Sequence, residues 1–186
     1  MTFCINFEVK KMDLKKYIRS IPDYPKKGIL FRDITTLIKN KDAFKECIDQ
    51  MSEILMKLNF DKIAAIESRG FLFSAPLCYK LSKPLVLMRK KNKLPAERYS
   101  EEFELEYGQA TLEVHKDSIE PKEKVIIIDD LIATGGTAMA GAKLVEKSEG
   151  IVSGFVFVIN LFDLGGTELL KKKEYKTFSL IDFPGH

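Results

Sequence analysis

The sequence predicts an α/β fold in which a twisted, mainly parallel sheet is flanked by helices on both faces. Three observations predict it. Short runs that are apolar at nearly every position (63–66 IAAI, 84–88 PLVLM, 125–128 VIII, 155–161 FVFVINL) suit strands covered on both sides, the mark of a parallel sheet. Segments long enough for a helix separate these runs, so strand and helix alternate along the chain. One stretch departs from this rhythm: residues 103–116 (FELEYGQATLEVHK) alternate polar and apolar around Tyr107-Gly108, as an antiparallel hairpin or meander does.

Taken in order, residues 13–20 (DLKKYIRS) and 42–58 place their large apolar side chains three and four apart and read as amphipathic helices. Between them, Pro22, Pro25 and Gly28 argue for a structured loop over the sheet edge rather than a helix. The strand at 61–66 is followed by a helical pattern holding Cys78, as 42–58 holds Cys47, and both thiols read as core residues. After the strand at 84–88 come four cations within 89–93 and then five glutamates between 97 and 106, a polar excursion leading into 103–116. The 125–128 strand runs into a turn and a helical segment over 138–148. Lys171–Lys173 reads as a solvated helix end.

A chain of 186 residues suits one domain, 1–186, that needs no disulfide or metal staple. Thirty basic against 27 acidic residues give +3, an ordinary globular balance. Three scattered cysteines and two distant histidines (His115, His186) supply neither a zinc cage nor a disulfide framework. No apolar run reaches a membrane span, and residues 1–12 lack the apolar centre of a signal peptide. The expectation is a reduced, cytoplasmic protein.

The chemistry concentrates in 125–137, VIIIDDLIATGGT. A buried strand delivers Asp129 and Asp130 to the carboxyl edge of the sheet, where open α/β folds bind ligands. The Thr134-Gly135-Gly136-Thr137 turn then opens a helix, where converging N–H groups and hydroxyls form a phosphate cradle. Two carboxylates beside such a cradle would repel a bare phosphate, but they suit the two hydroxyls of a ribose, with or without a magnesium ion nearby. Adjacent strand residues face opposite ways, so both aspartates serve one ligand only if the chain leaves strand geometry there. Other nucleotide motifs fit poorly. Gly136 and Gly141 have P-loop spacing, but Ala142-Lys143-Leu144 follows instead of Lys-Ser/Thr, and no G-x-G-x-x-G follows a strand.

This motif resembles the phosphoribosyl-pyrophosphate (PRPP) site of the type I phosphoribosyltransferases, and further motifs resemble the adenine-using members. The resemblance implies the type I phosphoribosyltransferase fold with a small N-terminal hood and a flexible antiparallel loop. It implies purine salvage: transfer of the 5-phosphoribosyl group of PRPP to N9 of adenine, giving AMP and pyrophosphate. Asp129 and Asp130 would hold the ribose hydroxyls, and Ala133, Thr134, Gly135, Gly136 and Thr137 the 5′-phosphate. IPDYPKKGILFRDIT (21–35) resembles the base-binding hood, assigned to 12–35, with adenine between Phe31 and Leu131 and its edge read by backbone around Leu30 and Arg32.

ESRGF (67–71) resembles the pyrophosphate loop, implying contacts from Ser68 and Arg69 and a cis Glu67–Ser68 peptide. Arg89, Lys90 and Lys93 would meet the leaving group. MRKKNKLPAERYSEEFELEYG (88–108) resembles the flexible catalytic loop, with Tyr99 within its tip, Glu106 as the catalytic acidic residue and Tyr107 beside it. Mg²⁺ would arrive with PRPP and be held mainly by it, with Asp129 and Asp130 the only protein candidates. The resemblance also implies a homodimer acting on small molecules, without nucleic acid or membrane partners.

It begins near Met12, so residues 1–11 read as a dispensable extension. Two other readings stand beside this one: an enzyme for a 6-oxopurine, and a non-catalytic PRPP- or purine-sensing regulator of the same fold. The segment 28–35 disfavours the first. The roughly 20 residues ahead of IPDYPKKG, too few for a DNA-binding module, disfavour the second.

Overall fold

The computed structural model describes residues 11–104 and 108–185. Leu14–Tyr17 form one 3-10 turn, with the Asp13 carboxylate accepting from the Lys15 N–H. The amphipathic helix expected over 13–20 is therefore only this turn. Leu14 and Ile18 are buried as the spacing requires, but Arg19–Pro22 (β1) is recruited into antiparallel pairing with Leu30–Asp33 (β2). Arg19 fixes that register by donating to the Asp33 carboxylate from Nε (3.0 Å) and Nη2 (2.5 Å). The loop expected around Pro22, Pro25 and Gly28 is the connection of a two-stranded hairpin, turned through a cis Tyr24–Pro25 bond and Gly28.

Thr35–Ile38 (α1) and Lys41–Leu55 (α2) follow, α2 starting where Asn40 accepts from the Asp42 and Ala43 N–H groups. Then come Lys62–Ile66 (β3), Gly70–Leu81 (α3), Leu85–Lys90 (β4), Arg98–Glu104 (β5), Gln109–His115 (β6), Lys124–Ile132 (β7), Gly136–Lys147 (α4), Ile151–Leu161 (β8), Gly166–Lys172 (α5) and Thr177–Phe183 (β9). The main sheet runs β5-β6-β4-β3-β7-β8-β9. Its β4-β3-β7-β8-β9 portion is parallel, and β5 and β6 add antiparallel strands at one edge.

The all-apolar runs are strands covered on both faces. Ile126, Ile128, Val156 and Val158 face a core with α2 and α3. Val125, Ile127, Phe155 and Phe157 face the other core, with Ala138, Ala142 and Leu144 of α4. Alternate residues of one strand therefore feed two cores. Cys47 and Cys78 lie in the first, and burial pushes their thiols up to about 12 and about 11, the acidic Glu46 adding to the rise at Cys47.

Two further expectations are corrected. The polar excursion at 97–106 is largely strand: β5 pairs with β6 from Arg98↔His115 to Glu104↔Gln109. Tyr99 consequently sits opposite Val114 at the root of the hairpin, not at its tip. The aspartate pair also stays within strand geometry, since β7 continues to Ile132.

Candidate functional site

The carboxyl ends of β3 and β7 build the floor of the site. Pairing of β7 with β3 ends at Ala65↔Ile128, while pairing with β8 continues to Ile132↔Asn160. Past Ile128 the strand keeps one neighbour only, and this edge is where Asp129 and Asp130 both reach a single cavity of about 350 Å³ without leaving the strand. Its remaining wall is Arg69 and the contiguous run Leu131–Ala138, with Phe157 behind.

The turn at 133–137 is shaped for an anion. Gly135 lies at φ +86°, a left-handed conformation that glycine adopts without steric cost, and it starts α4 with no side chain capping the helix. The N–H groups of the first turn of α4 therefore lack side-chain partners, and the helix dipole adds positive potential there. A second glycine turn supports the first from below. Gly166 donates its N–H to the Ala133 carbonyl (2.9 Å), and a Cβ on Gly166 would stand 2.3 Å from that oxygen. The sequence reading missed this support. Its signal was the Gly165-Gly166-Thr167 echo of the Thr134–Thr137 turn.

The two aspartates carry the site's electrostatic tension. Burial raises the Asp129 carboxyl well above the usual range, and the charge of Asp130 adds to it. Burial also raises Asp130, against the pull of Arg69, whose Nε lies 3.1 Å from Asp130 Oδ2. That oxygen is buried with no hydrogen-bond donor aligned to it, the ion pair notwithstanding. Both carboxyl-bearing residues line the cavity, and a carboxylate there has acceptor capacity to spare for a diol.

Arg69 stands where two cavities meet. Its guanidinium lies 5.6 Å from the Phe31 ring, and on that side a smaller cavity of about 160 Å³ opens. The walls there are Ile29, Leu30, Phe31, Leu131, Ala133, Leu161 and Leu164, with Arg32, Arg69 and Gly185. Phe31 and Leu131 thus face one apolar slot, as the resemblance implied, and Tyr24 braces the Phe31 ring edge-on at 5.1 Å. The Arg32 side chain turns into the hood, donating to Ser20 Oγ (2.5 Å) and to the Pro184 carbonyl (2.7 Å).

On the opposite side a third cavity, about 310 Å³, is lined by Glu67, Ser68, Arg69, Lys90, Thr111, Asp129, Asp130 and Thr137, among others. The Glu67–Ser68 peptide is cis. Lys90 reaches this wall and Lys93 does not. Arg89 is engaged elsewhere: its Nε and Nη2 donate to the two Glu67 oxygens at 3.2 and 3.3 Å. Burial alone would raise the Glu67 carboxyl, but Arg89 and the Lys90 N–H (2.8 Å) outweigh it and hold it below the usual range. The sequence reading gave Glu67 only a backbone role, since nothing in its spacing announces a side-chain partner 22 positions away.

The hairpin lies against α4. Lys143 Nζ and Lys147 Nζ grip the Glu101 carboxylate at 2.7 and 2.5 Å and hold its pKa down. Glu106 and Tyr107 lie outside the described residues. Among the described residues, no cluster of three or more His, Cys, Asp or Glu side chains could hold a metal ion.

A strand ending in paired carboxylates, a glycine turn opening a helix, and an apolar slot beside them define a nucleotide-handling α/β protein. The family model described as "Phosphoribosyl transferase domain" matches residues 33–185, and the chain belongs to that family. Within it, the chain is 67% identical over 175 residues to an adenine phosphoribosyltransferase of Pelagibacter ubique, covering 94% of this chain and 100% of the relative. The solved adenine phosphoribosyltransferase of Thermoanaerobacter pseudethanolicus superposes with a TM-score of 0.87 at 50% identity, covering 91% of this chain and 98% of that one. The Saccharomyces cerevisiae enzyme, solved with an imino-altritol bisphosphate and adenine, superposes with a TM-score of 0.82 at 37% identity over 90% of this chain and 96% of that one.

Proposed function

We propose that the protein transfers the 5-phosphoribosyl group of PRPP to N9 of adenine, yielding AMP and pyrophosphate in purine salvage. One observation carries the reading: a polar cavity with a diol-type carboxylate pair and an uncapped helix start opens, across Arg69, onto an apolar slot faced by Phe31 and Leu131. This supports ribose 5-phosphate in the first cavity and the base in the second. The third cavity, with Ser68, Arg69 and Lys90, is the place for pyrophosphate.

Cleavage at the anomeric carbon develops positive charge on the ribose and negative charge on the departing pyrophosphate, so catalysis rests on positioning and electrostatics. Asp129 and Asp130 accept from the ribose hydroxyls and fix the sugar. Lys90 and Arg69 lower the cost of the leaving group, with Arg89 and Lys93 joining them if the basic turn moves toward the phosphates. Glu106 takes the purine proton as general base. Mg²⁺ fits as a companion of PRPP rather than as a resident ion, because the described residues offer two adjacent carboxylates and no third ligand. Bound there, it would neutralise phosphate charge.

Two coarser features belong to the same reading. Leu72 and Tyr79 of α3 and Leu87 of β4 leave apolar surface exposed, which supports a homodimer; light scattering should give twice the chain mass. Residues 1–11 are dispensable, and their deletion should leave turnover unchanged. A cytoplasmic location accords with small charged substrates, and no helix of the described residues is long and apolar enough to cross a membrane. The defining test mixes the protein with PRPP, Mg²⁺ and each purine base in turn and follows pyrophosphate release. Release with adenine and not with hypoxanthine or guanine is expected. Release with a 6-oxopurine instead, or PRPP binding without turnover, would favour one of the two other readings.

A further inference from the structure

One wall of the base cavity comes from a segment that none of the family motifs includes. Gly185 lines the cavity next to Leu164 and is held there by donating its N–H to Asp163 Oδ1 (2.6 Å). There is no room to spare at that contact, since a Cβ on Gly185 would stand 2.6 Å from Leu164 Cγ. Two residues earlier, Phe183 is 6% exposed and two cations of the hood lie over its ring: Arg32 at 4.4 Å and Lys15 at 4.7 Å. The same cations also bind the neighbouring backbone, Arg32 at the Pro184 carbonyl and Lys15 Nζ at the Asp182 carbonyl (2.8 Å). Four contacts thus join the hood to the end of β9 and to Pro184 just beyond it.

This junction is built against a cost. Arg32 is 5% exposed, its Nε is buried without a partner, and burial lowers its pKa. A buried cation with an unmade hydrogen bond is unfavourable unless its surroundings offset it, and these are the Phe183 ring, Ser20, the Pro184 carbonyl and the nearby negative charge of Asp163. We propose that residues 183–185 are a positioning segment for the base: Phe183, gripped by Lys15 and Arg32, fixes the height of the hood, and Gly185, held by Asp163, fixes Leu164 against the slot. The segment sets the affinity for the purine and leaves the PRPP cavity untouched. The inference rests on reading the Phe31–Leu131 slot as the base site.

The test uses the full chain and three substitutions away from the substrate-contacting groups. Asp163 is exposed, so Asp163→Ala removes the Gly185 anchor, and with it the negative charge near Arg32, without disturbing a core; Asp163→Asn removes the charge alone. Asp163→Asn keeps an acceptor for the Gly185 N–H. Phe183→Leu keeps an apolar side chain and removes the ring beneath the two cations. Asp163→Ala and Phe183→Leu should each raise the KM for adenine about fivefold, with kcat and the KM for PRPP within about twofold of wild type. Asp163→Asn should restore the adenine KM. An unchanged adenine KM in both variants would overturn the proposal, as would a parallel rise of both KM values, which marks general loosening. A wild type that consumes no adenine would overturn the functional reading, and the inference with it, before any variant is assayed.

Discussion

The base cavity and the ribose-phosphate cavity share Arg69, Leu131 and Ala133, yet their walls are made differently. The ribose-phosphate wall is nearly one continuous stretch, 129–138, in which charge is concentrated and unsatisfied: two carboxylates raised by burial, Asp129 further by the charge of Asp130, facing an uncapped helix start. The base wall is assembled from five separate places, 29–32, 69, 131–133, 161–164 and 185, and is mostly aliphatic and aromatic. One cavity holds its ligand by stored electrostatic demand, the other by shape. A contiguous, strained site is fixed by its own strand and turn, whereas a dispersed, apolar one depends on what clamps its pieces together.

The largest expected effect is at Glu106, the proposed general base. Glu106→Leu should lower kcat on the order of 10²-fold with little change in PRPP affinity; a fall of less than about tenfold (~1.4 kcal/mol) would remove the general-base role. Next is the charged cavity itself. Asp129→Asn retains the oxygen that accepts from the Asp130 N–H (2.8 Å) but removes the repulsion. It should weaken PRPP binding roughly tenfold or more, as loss of a charge-assisted hydrogen bond does.

The same substitution should stabilise the unliganded protein. A carboxyl raised in the native state keeps its proton after the unfolded chain has lost it. Native stability therefore declines as pH climbs from the ordinary carboxylate range, about 4, toward the raised native value. Thermal unfolding at pH 8 should show the variant more stable than wild type by a few degrees, about 1 kcal/mol corresponding to ~2–4 °C. The two curves should converge near pH 4. A variant less stable than wild type at pH 8 would mean that the pair carries no tension.

Smaller effects sharpen the contrast. Gly166→Ala forces a Cβ against the Ala133 carbonyl and should destabilise by about 1–3 kcal/mol. The displaced 133–137 turn should raise the KM for PRPP more than the KM for adenine. Glu67→Gln loosens Arg89 and should change the KM for PRPP only severalfold, read together with the salt dependence of binding. If it altered the adenine KM instead, the division between the cavities would be wrong.

What could be read from the sequence follows the same division. The 125–137 run was legible because strand, acid pair, glycine turn and helix are consecutive, and the parallel sheet was legible because both its faces are buried. Phe31 and Leu131 were reached through a family resemblance, since residues a hundred positions apart announce no contact. The helix expected over 13–20 failed because β2 offered Arg19–Pro22 a partner, a tertiary pairing that three- and four-residue spacing cannot reveal. Tyr99 was placed at a loop tip because the run of glutamates reads as a solvated loop, while Glu102 and Glu104 lie on the exposed face of β5 and Glu101 turns to Lys143 and Lys147 of α4. Glu67, Gly166 and Gly185 act only through distant partners, and periodicity carries no trace of them.

One nucleotide is expected to span both cavities across Arg69, and a crystal structure with AMP bound would show it. The 5′-phosphate should lie against the N–H groups of 134–137, the ribose hydroxyls on Asp129 and Asp130, and the adenine ring between Phe31 and Leu131. AMP bound with its base outside the Phe31 slot, or with its phosphate away from the start of α4, would contradict it.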